Sequence, residues 1–173
     1  VAYGDKVTKE DEVLFEHLFA NIFFGAQQYR DALRQLNNVL NDNETNLRQD
    51  IYSFSKLFDL VIHYELNNYD LLDYLVKSTE RFYNKRKKAA DHGYEFEVIF
   101  LKSFKKLVKT NRNLSRSADV FKEMLVDLKL LLADQNERVA LEYFDYLSWV
   151  ESKLQGIAYG EYKRKHAIKP SLV

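Results

Sequence analysis

The residues of this chain best suited to acid–base or metal chemistry are four histidines, His17, His63, His92 and His166; there is no cysteine. Disulfides, thiolate nucleophiles and cysteine metal sites are therefore excluded. No histidine belongs to an H-E-x-x-H pattern, none has a Glu three residues before it, and no two share a helical face. The usual ligand spacings for zinc and di-iron are thus missing. No G-x-S-x-G occurs, and the glycines of "GIAYGE" (156–161) match neither dinucleotide-binding nor phosphate-loop spacing. The expectation is a protein that is not an enzyme, with no catalytic residue, no metal and no cofactor.

One stretch, "HYELNNYDLLDYL" (63–75), still mixes groups that do chemistry. Asp59 stands four residues before His63, on the same helical face, and such a carboxylate can set an imidazole's tautomer. Counted at 100° per residue, both point away from the stripe of Ile51, Phe54, Phe58 and Val61. The pair reads as a surface contact near a helix C-terminus, where a cationic His is mildly favourable. Glu65 is odder, because it falls on the inward face at the last turn, where an anion opposes the helix dipole. Two readings stand. Either a hydrogen-bonding or cationic partner meets it, with Arg30 or Arg34 of the preceding helix as examples, or it lies at an exposed end beyond the core.

The elements that must position these residues are helices. The 173 residues fit one domain, and the 46% hydrophobic and 30% charged content is that of an ordered globular chain. Five glycines and a single proline, Pro170, are too few for the turns of a β-sandwich or α/β domain. Helical periodicity predicts about seven antiparallel helices, roughly over 8–24, 27–41, 47–66, 68–87, 94–110, 117–133 and 134–156. Thr8 with Asp11, and Asp134 with Glu137, have capping-box spacing. In the first helix Leu14, Leu18 and Ile22 repeat every four residues, joined by Phe15, Phe19 and Phe23. Gly156 ends the last helix. Short connections force antiparallel neighbours, so the class is all-α, an α-α hairpin array or solenoid, with a helical bundle as the alternative. Residues 1–156 read as a single α-helical repeat domain, and 157–173 as a basic C-terminal tail without a packed element.

A repeat supports the array. "GAQQYRDALRQL" (25–36) aligns with "ELNNYDLLDYLV" (65–76), pairing Tyr29 with Tyr69, Ala32 with Leu72 and Leu36 with Val76 at a period of 40 residues. "YRDALRQLNNVL" resembles the second helix of a tetratricopeptide repeat, with Tyr29, Ala32 and Leu36 at the aromatic, small and large positions. The first helix lacks that family's Trp and Leu-Gly signature, no proline ends the second, and the period exceeds the usual 34. The stretch from "KLFDLVIHYELNNYDLLDYL" through "RFYNKRK" to "ALEYFDYLSWVESKL" resembles the C-terminal helical-repeat part of large uncharacterised bacterial proteins, especially from Bacteroidetes, over roughly residues 20–155. That resemblance implies a tetratricopeptide-like fold and carries no catalytic residues.

Charge is balanced overall but uneven along the chain. Residues 77–116 hold twelve basic side chains against four acidic ones. Lys77, Arg81, Lys85 and Lys88 share one side of the fourth predicted helix, and Lys102, Lys105, Lys106 and Lys109 one side of the fifth. The plainest reading is two solvated helix faces. If the helices are neighbours, the stripes would merge into a basic surface for an acidic protein partner, or for nucleic acid or anionic lipid. Tyr64, Tyr74, Tyr146 and Trp149 lie off the apolar stripes, as inter-hairpin packing first and partner contacts second. The function expected is a protein–protein interaction or scaffold module whose partner the sequence does not name, with polyanion binding as the alternative. No run of eighteen apolar residues and no signal-peptide pattern occurs, so a cytoplasmic location is expected. The chain opens on Val1 rather than Met, which leaves open a cut from something longer.

Overall fold

A computed structural model describes residues 7–42, 48–87, 94–110 and 113–167. These residues form α1 (Lys9–Gly25), α2 (Tyr29–Leu40), α3 (Gln49–Glu65), α4 (Tyr69–Lys87), α5 (Glu95–Lys109) and α6 (Leu114–Leu131). A 3-10 turn (Asn136–Val139), α7 (Ala140–Tyr143), α8 (Tyr146–Gln155) and α9 (Tyr159–His166) follow. No strand occurs among the described residues, and the all-α class holds.

Local chemistry sets the boundaries. Thr8 caps α1 in a complete capping box: its hydroxyl accepts from the Asp11 N–H at 3.2 Å, and Asp11 Oδ2 accepts from the Thr8 N–H at 3.1 Å. α1 ends in a Schellman closure. Gln28 N–H donates to Phe23 O at 2.9 Å and Gln27 N–H to Phe24 O at 3.0 Å, with Gln27 at φ 62°. The same closure ends α3 forty residues on. Asn68 N–H donates to His63 O and Asn67 N–H to Tyr64 O, both at 3.0 Å, with Asn67 at φ 58°. The register continues into the packing. Phe24 meets Tyr29 at a ring separation of 5.1 Å, and their counterparts Tyr64 and Tyr69 meet at 5.7 Å. Ala32, Leu36, Leu72 and Val76, the aligned inward positions, are all buried. The third hairpin closes differently. Thr110 donates its hydroxyl to Leu107 O, and Asn113 caps α6 by accepting the Arg116 N–H at 3.0 Å.

Helices α1 to α6 pack on one another in chain order, so the hairpins lie side by side. The rest of the chain then returns across them. α8 packs on α6, and α9 on both α8 and α1. Along this path Phe144 stacks on Phe58 at 4.4 Å and meets Phe24 at 5.2 Å. Tyr146 meets Phe96 and Phe100 of α5. Trp149 stacks on Phe104 at 5.7 Å and meets Phe121 edge-on. The main apolar core is filled by aromatic rings from the hairpins on one side and from the return segment on the other, and a small second cluster joins Val13, Val39 and Ile51.

This return corrects two expectations. The single helix over 134–156 is broken. Phe144 is extended at φ −160°, ψ 139°, which turns its ring between α1 and α3. Asp145 then starts α8 as a fresh N-cap, accepting from the Ser148 N–H at 3.0 Å and its hydroxyl at 2.7 Å. The Asp134–Glu137 pair makes no capping box: Asp134 accepts the Asn136 N–H, and Glu137 accepts the Phe96 N–H at 3.2 Å, serving the first turn of α5. Among the described residues the α-helices number nine, against about seven expected. Nor is the segment after Gly156 without a packed element, since Gly160 and Tyr162 of α9 are buried. A Cβ on Gly160 would stand 1.9 Å from Gly25 O, so the two backbones touch there and only glycine fits. Gly156 does end its helix in the left-handed conformation, at φ 66°.

Candidate functional site

α1 carries large apolar residues on two faces, and these meet different fates. Val13, His17, Ala20 and Phe24 are buried. Phe15, Leu18, Phe19 and Ile22 are 46%, 45%, 50% and 63% exposed. Their spacing, i, i+3, i+4 and i+7, makes one continuous stripe. The sequence marks these four as part of an apolar repeat, and the structure turns them out. The reason is that inward contact comes through a narrower strip than the residue pattern offers. Small Ala20 and hydrogen-bonded His17 lie on that inward strip.

The repeat register shows what this stripe lacks. Forty residues on, its counterparts in α3 are Ser55, Phe58, Asp59 and Ile62, and every one is buried. α3 lies between α2 and α4, with α1 and α7 also against it. Among the described residues no helix stands on α1 as α2 stands on α3. A cleft of about 410 Å³ opens beside the stripe, between α1 and α2, with Val13, Phe15, Phe19 and Val39 in its walls. Three carboxylates, Glu12, Glu16 and Asp42, line it too. Lys9 bridges Glu12 and Asp42 at 3.1 Å each. Among the described residues Glu16 has no such partner: its Oε2 is buried and makes no hydrogen bond.

The residues singled out in the sequence fall elsewhere. Glu65 is met, but by the return segment rather than by Arg30 or Arg34. Trp149 Nε1–H donates to Glu65 Oε1 at 2.7 Å, and the Lys153 ammonium lies 2.5 Å from the same oxygen. Arg34 pairs with Asp31 on its own helix, and Arg30 is exposed. Burial and the Glu65 charge push the nearby Tyr29 phenol up to about 12.

His63 and Asp59 form no surface pair, since both are buried. A wheel drawn from one stripe assumed that α3 has one buried face; ten of its seventeen residues are buried. His63 Nε2 stands 3.4 Å from Asp59 Oδ1, and Asn68 Nδ2 donates to Nδ1 at 2.9 Å. Burial holds the imidazole below its ordinary value and pushes Asp59 up to about 7. His17 is a second buried imidazole: Nε2 donates to Tyr143 O at 2.8 Å, and Nδ1 accepts from Ser55 Oγ at 2.9 Å. His17 thus ties α1 to α3 and α7, while His63 ties the last turn of α3 to the turn that follows it. Sequence reasoning missed Glu97, which burial pushes up to about 7 beside the cleft that Glu137 also lines. It lies one residue after Phe96, on the inward side of α5, and that placement was the available signal.

The basic residues of α4 and α5 partly converge. Lys77, Lys105 and Lys109 line one small cleft, together with Asp73 and Glu80. Lys77 is 2.5 Å from Asp73, Lys105 pairs with Glu80, and Lys106 pairs with Glu123 of α6. Arg81, Lys85 and Lys102 are exposed, and Lys88 lies outside the described residues. Of the off-stripe aromatics, Tyr146 and Trp149 are wholly buried, Tyr64 packs on both Trp149 and Phe121, and Tyr74 is exposed. No described helix is long and apolar enough to cross a membrane.

No family model, curated protein or solved structure matches the chain.

Proposed function

We propose that this protein is a non-enzymatic scaffold of the tetratricopeptide-like kind, built from helical hairpins, that works by binding another protein. The observation that carries the reading is the outer stripe of α1: four large apolar side chains about half exposed on one helix, beside a cleft of mixed apolar and acidic lining. Stripes of this size are uncommon on a surface that meets only water. Solenoid ends need a polar outer face to stay apart, and α1 does not supply one. The forty-residue register of the first two hairpins supports the kinship with helical repeats; the bacterial kinship rests on the sequence stretches alone. The expected site of work is the cytoplasm.

Photocrosslinking tests the reading. A benzophenone amino acid at Ile22 is expected to give adducts of defined mass in the source cell, and the same group at exposed Leu130 of α6 none. Equal labelling at the two positions, or none at either, would overturn the proposal.

A second reading keeps the polyanion alternative, favoured by the convergence of Lys77, Lys105 and Lys109. Its signature is binding that falls steeply with salt and with charge reversal at Arg81 and Lys85. Pairing with Asp73, Glu80 and Glu123 weighs against it.

A further inference from the structure

The outer face of α1 offers more than an apolar stripe, and its particulars say what kind of partner fits. We infer that it docks an amphipathic helix bearing a lysine or arginine, whose cation seats on Glu16 while its apolar residues cover Phe15, Leu18, Phe19 and Ile22. This rests on the reading of the protein as an interaction scaffold and names the partner's chemistry.

Three observations carry it. The first is the register. The fold buries the equivalent face of α3 against its own elements, Ser55 on His17 and Phe58 on Phe24 and Phe144, and leaves the same register uncovered on α1. Ridges at i, i+3, i+4 and i+7 are those into which another helix packs.

The second is charge. The cleft beside the stripe carries three carboxylates and one ammonium, and that ammonium is already engaged by Glu12 and Asp42. A negative balance remains at Glu16.

The third is the state of Glu16. A buried carboxylate oxygen without a hydrogen bond is a standing cost, and a cation placed there would remove it. Phe15 and Phe19 line the same cleft and offer ring faces to the incoming charge. An acidic helix would meet repulsion in that place, and a purely apolar one would seal the carboxylate without a partner.

The experiment uses the full chain and short fluorescein-labelled synthetic helices with one leucine face, flanked by lysine in one peptide and by glutamate in the other. Binding is read by anisotropy at physiological salt, and helicity of each variant by circular dichroism. The lysine peptide is expected to bind and the glutamate peptide to fail. Glu16→Gln should weaken the lysine peptide about tenfold, the effect of losing one charged contact, while Glu161→Gln on α9 leaves it unchanged. Ile22→Asp should abolish binding.

Equal binding of the two peptides, or indifference to Glu16→Gln, would overturn the cation while leaving the helix-docking face intact. Failure of both peptides with a monomeric chain in sedimentation velocity would overturn the docking face as well. Failure of both with a dimer that Ile22→Asp dissociates would assign the face to a second copy and overturn the basic partner.

Discussion

The indole of Trp149 on α8 donates to the carboxylate of Glu65 at the last turn of α3, 84 positions earlier, at 2.7 Å. Lys153, one turn beyond Trp149, holds the same oxygen. The acid thus stands against its own helix dipole and is held by a donor and a cation from another element. Removing one partner of such a buried group costs more than the pair contributes. Glu65→Leu is expected to cost about 3 kcal/mol in urea unfolding, because it orphans both Lys153 and the indole N–H. Glu65→Gln keeps an acceptor for Trp149 and should cost about half as much. A double-mutant cycle with Lys153→Met should show coupling above about 0.5 kcal/mol. Additive losses would show that the contact carries no net energy.

Asp59 gives the stability a pH signature. Its folded value near 7 lies above the ordinary 3.8, so the folded state holds a proton that the unfolded chain has released. Stability from this group is present at low pH and lost as pH rises through 7. Lys56 opposes the shift, and His63, facing it, has a lowered value that penalises folding as pH falls below 6.5. In Asp59→Asn the first trend vanishes and the second stays. The melting temperature of Asp59→Asn relative to the unsubstituted chain is therefore expected to rise between about pH 5 and pH 8.5. A constant difference would place Asp59 in contact with water in the folded state.

Gly160→Ala tests the backbone contact between α9 and α1. The new methyl has nowhere to go, since the nearest atom is the Gly25 carbonyl oxygen rather than a flexible side chain. A loss of about 2 kcal/mol is expected, with faster hydrogen exchange in 159–166. Gly156→Ala fails for another reason, backbone strain at φ 66°, with open space around its Cβ.

The two equivalent turns predict a contrast. Gln27 and Asn67 occupy the same left-handed position, and Asn tolerates it better than Gln. Gln27→Gly is expected to raise stability by about 1 kcal/mol, and Asn67→Gly by less than half of that. Thermal melts of the two variants suffice to check the order.

The helical class, the cap at Thr8, the stop at Gly156 and the forty-residue repeat were all legible, because each depends on residues near in sequence. The break at Phe144 was partly legible, since Asp145 and Ser148 have N-cap spacing, but the apolar periodicity running through it hid the break. The α1 stripe was legible as apolar and illegible as exposed. Which side of a helix with apolar residues on two faces meets the core is decided by neighbours that the sequence does not order. The same holds for Asp59 and His63, which are buried because α3 has helices on several sides. The register of Glu65 left a choice between a partner and an exposed end; that a partner meets it from α8 followed from nothing local.

The return of α9 to α1 changes how the molecule comes apart. An open row of hairpins adds its stability unit by unit and frays from the ends. Here the rings of Phe24 and Tyr159 meet at 5.4 Å, so the first hairpin and the last helix share one boundary. Among the described residues, α1 and α9 hold each other and should not fray independently. Contacts between distant parts of the chain slow its folding and make the transition all-or-none. The described helices are thereby joined into a single cooperative unit, whose hydrogen exchange should report one global opening in place of a gradient along the chain.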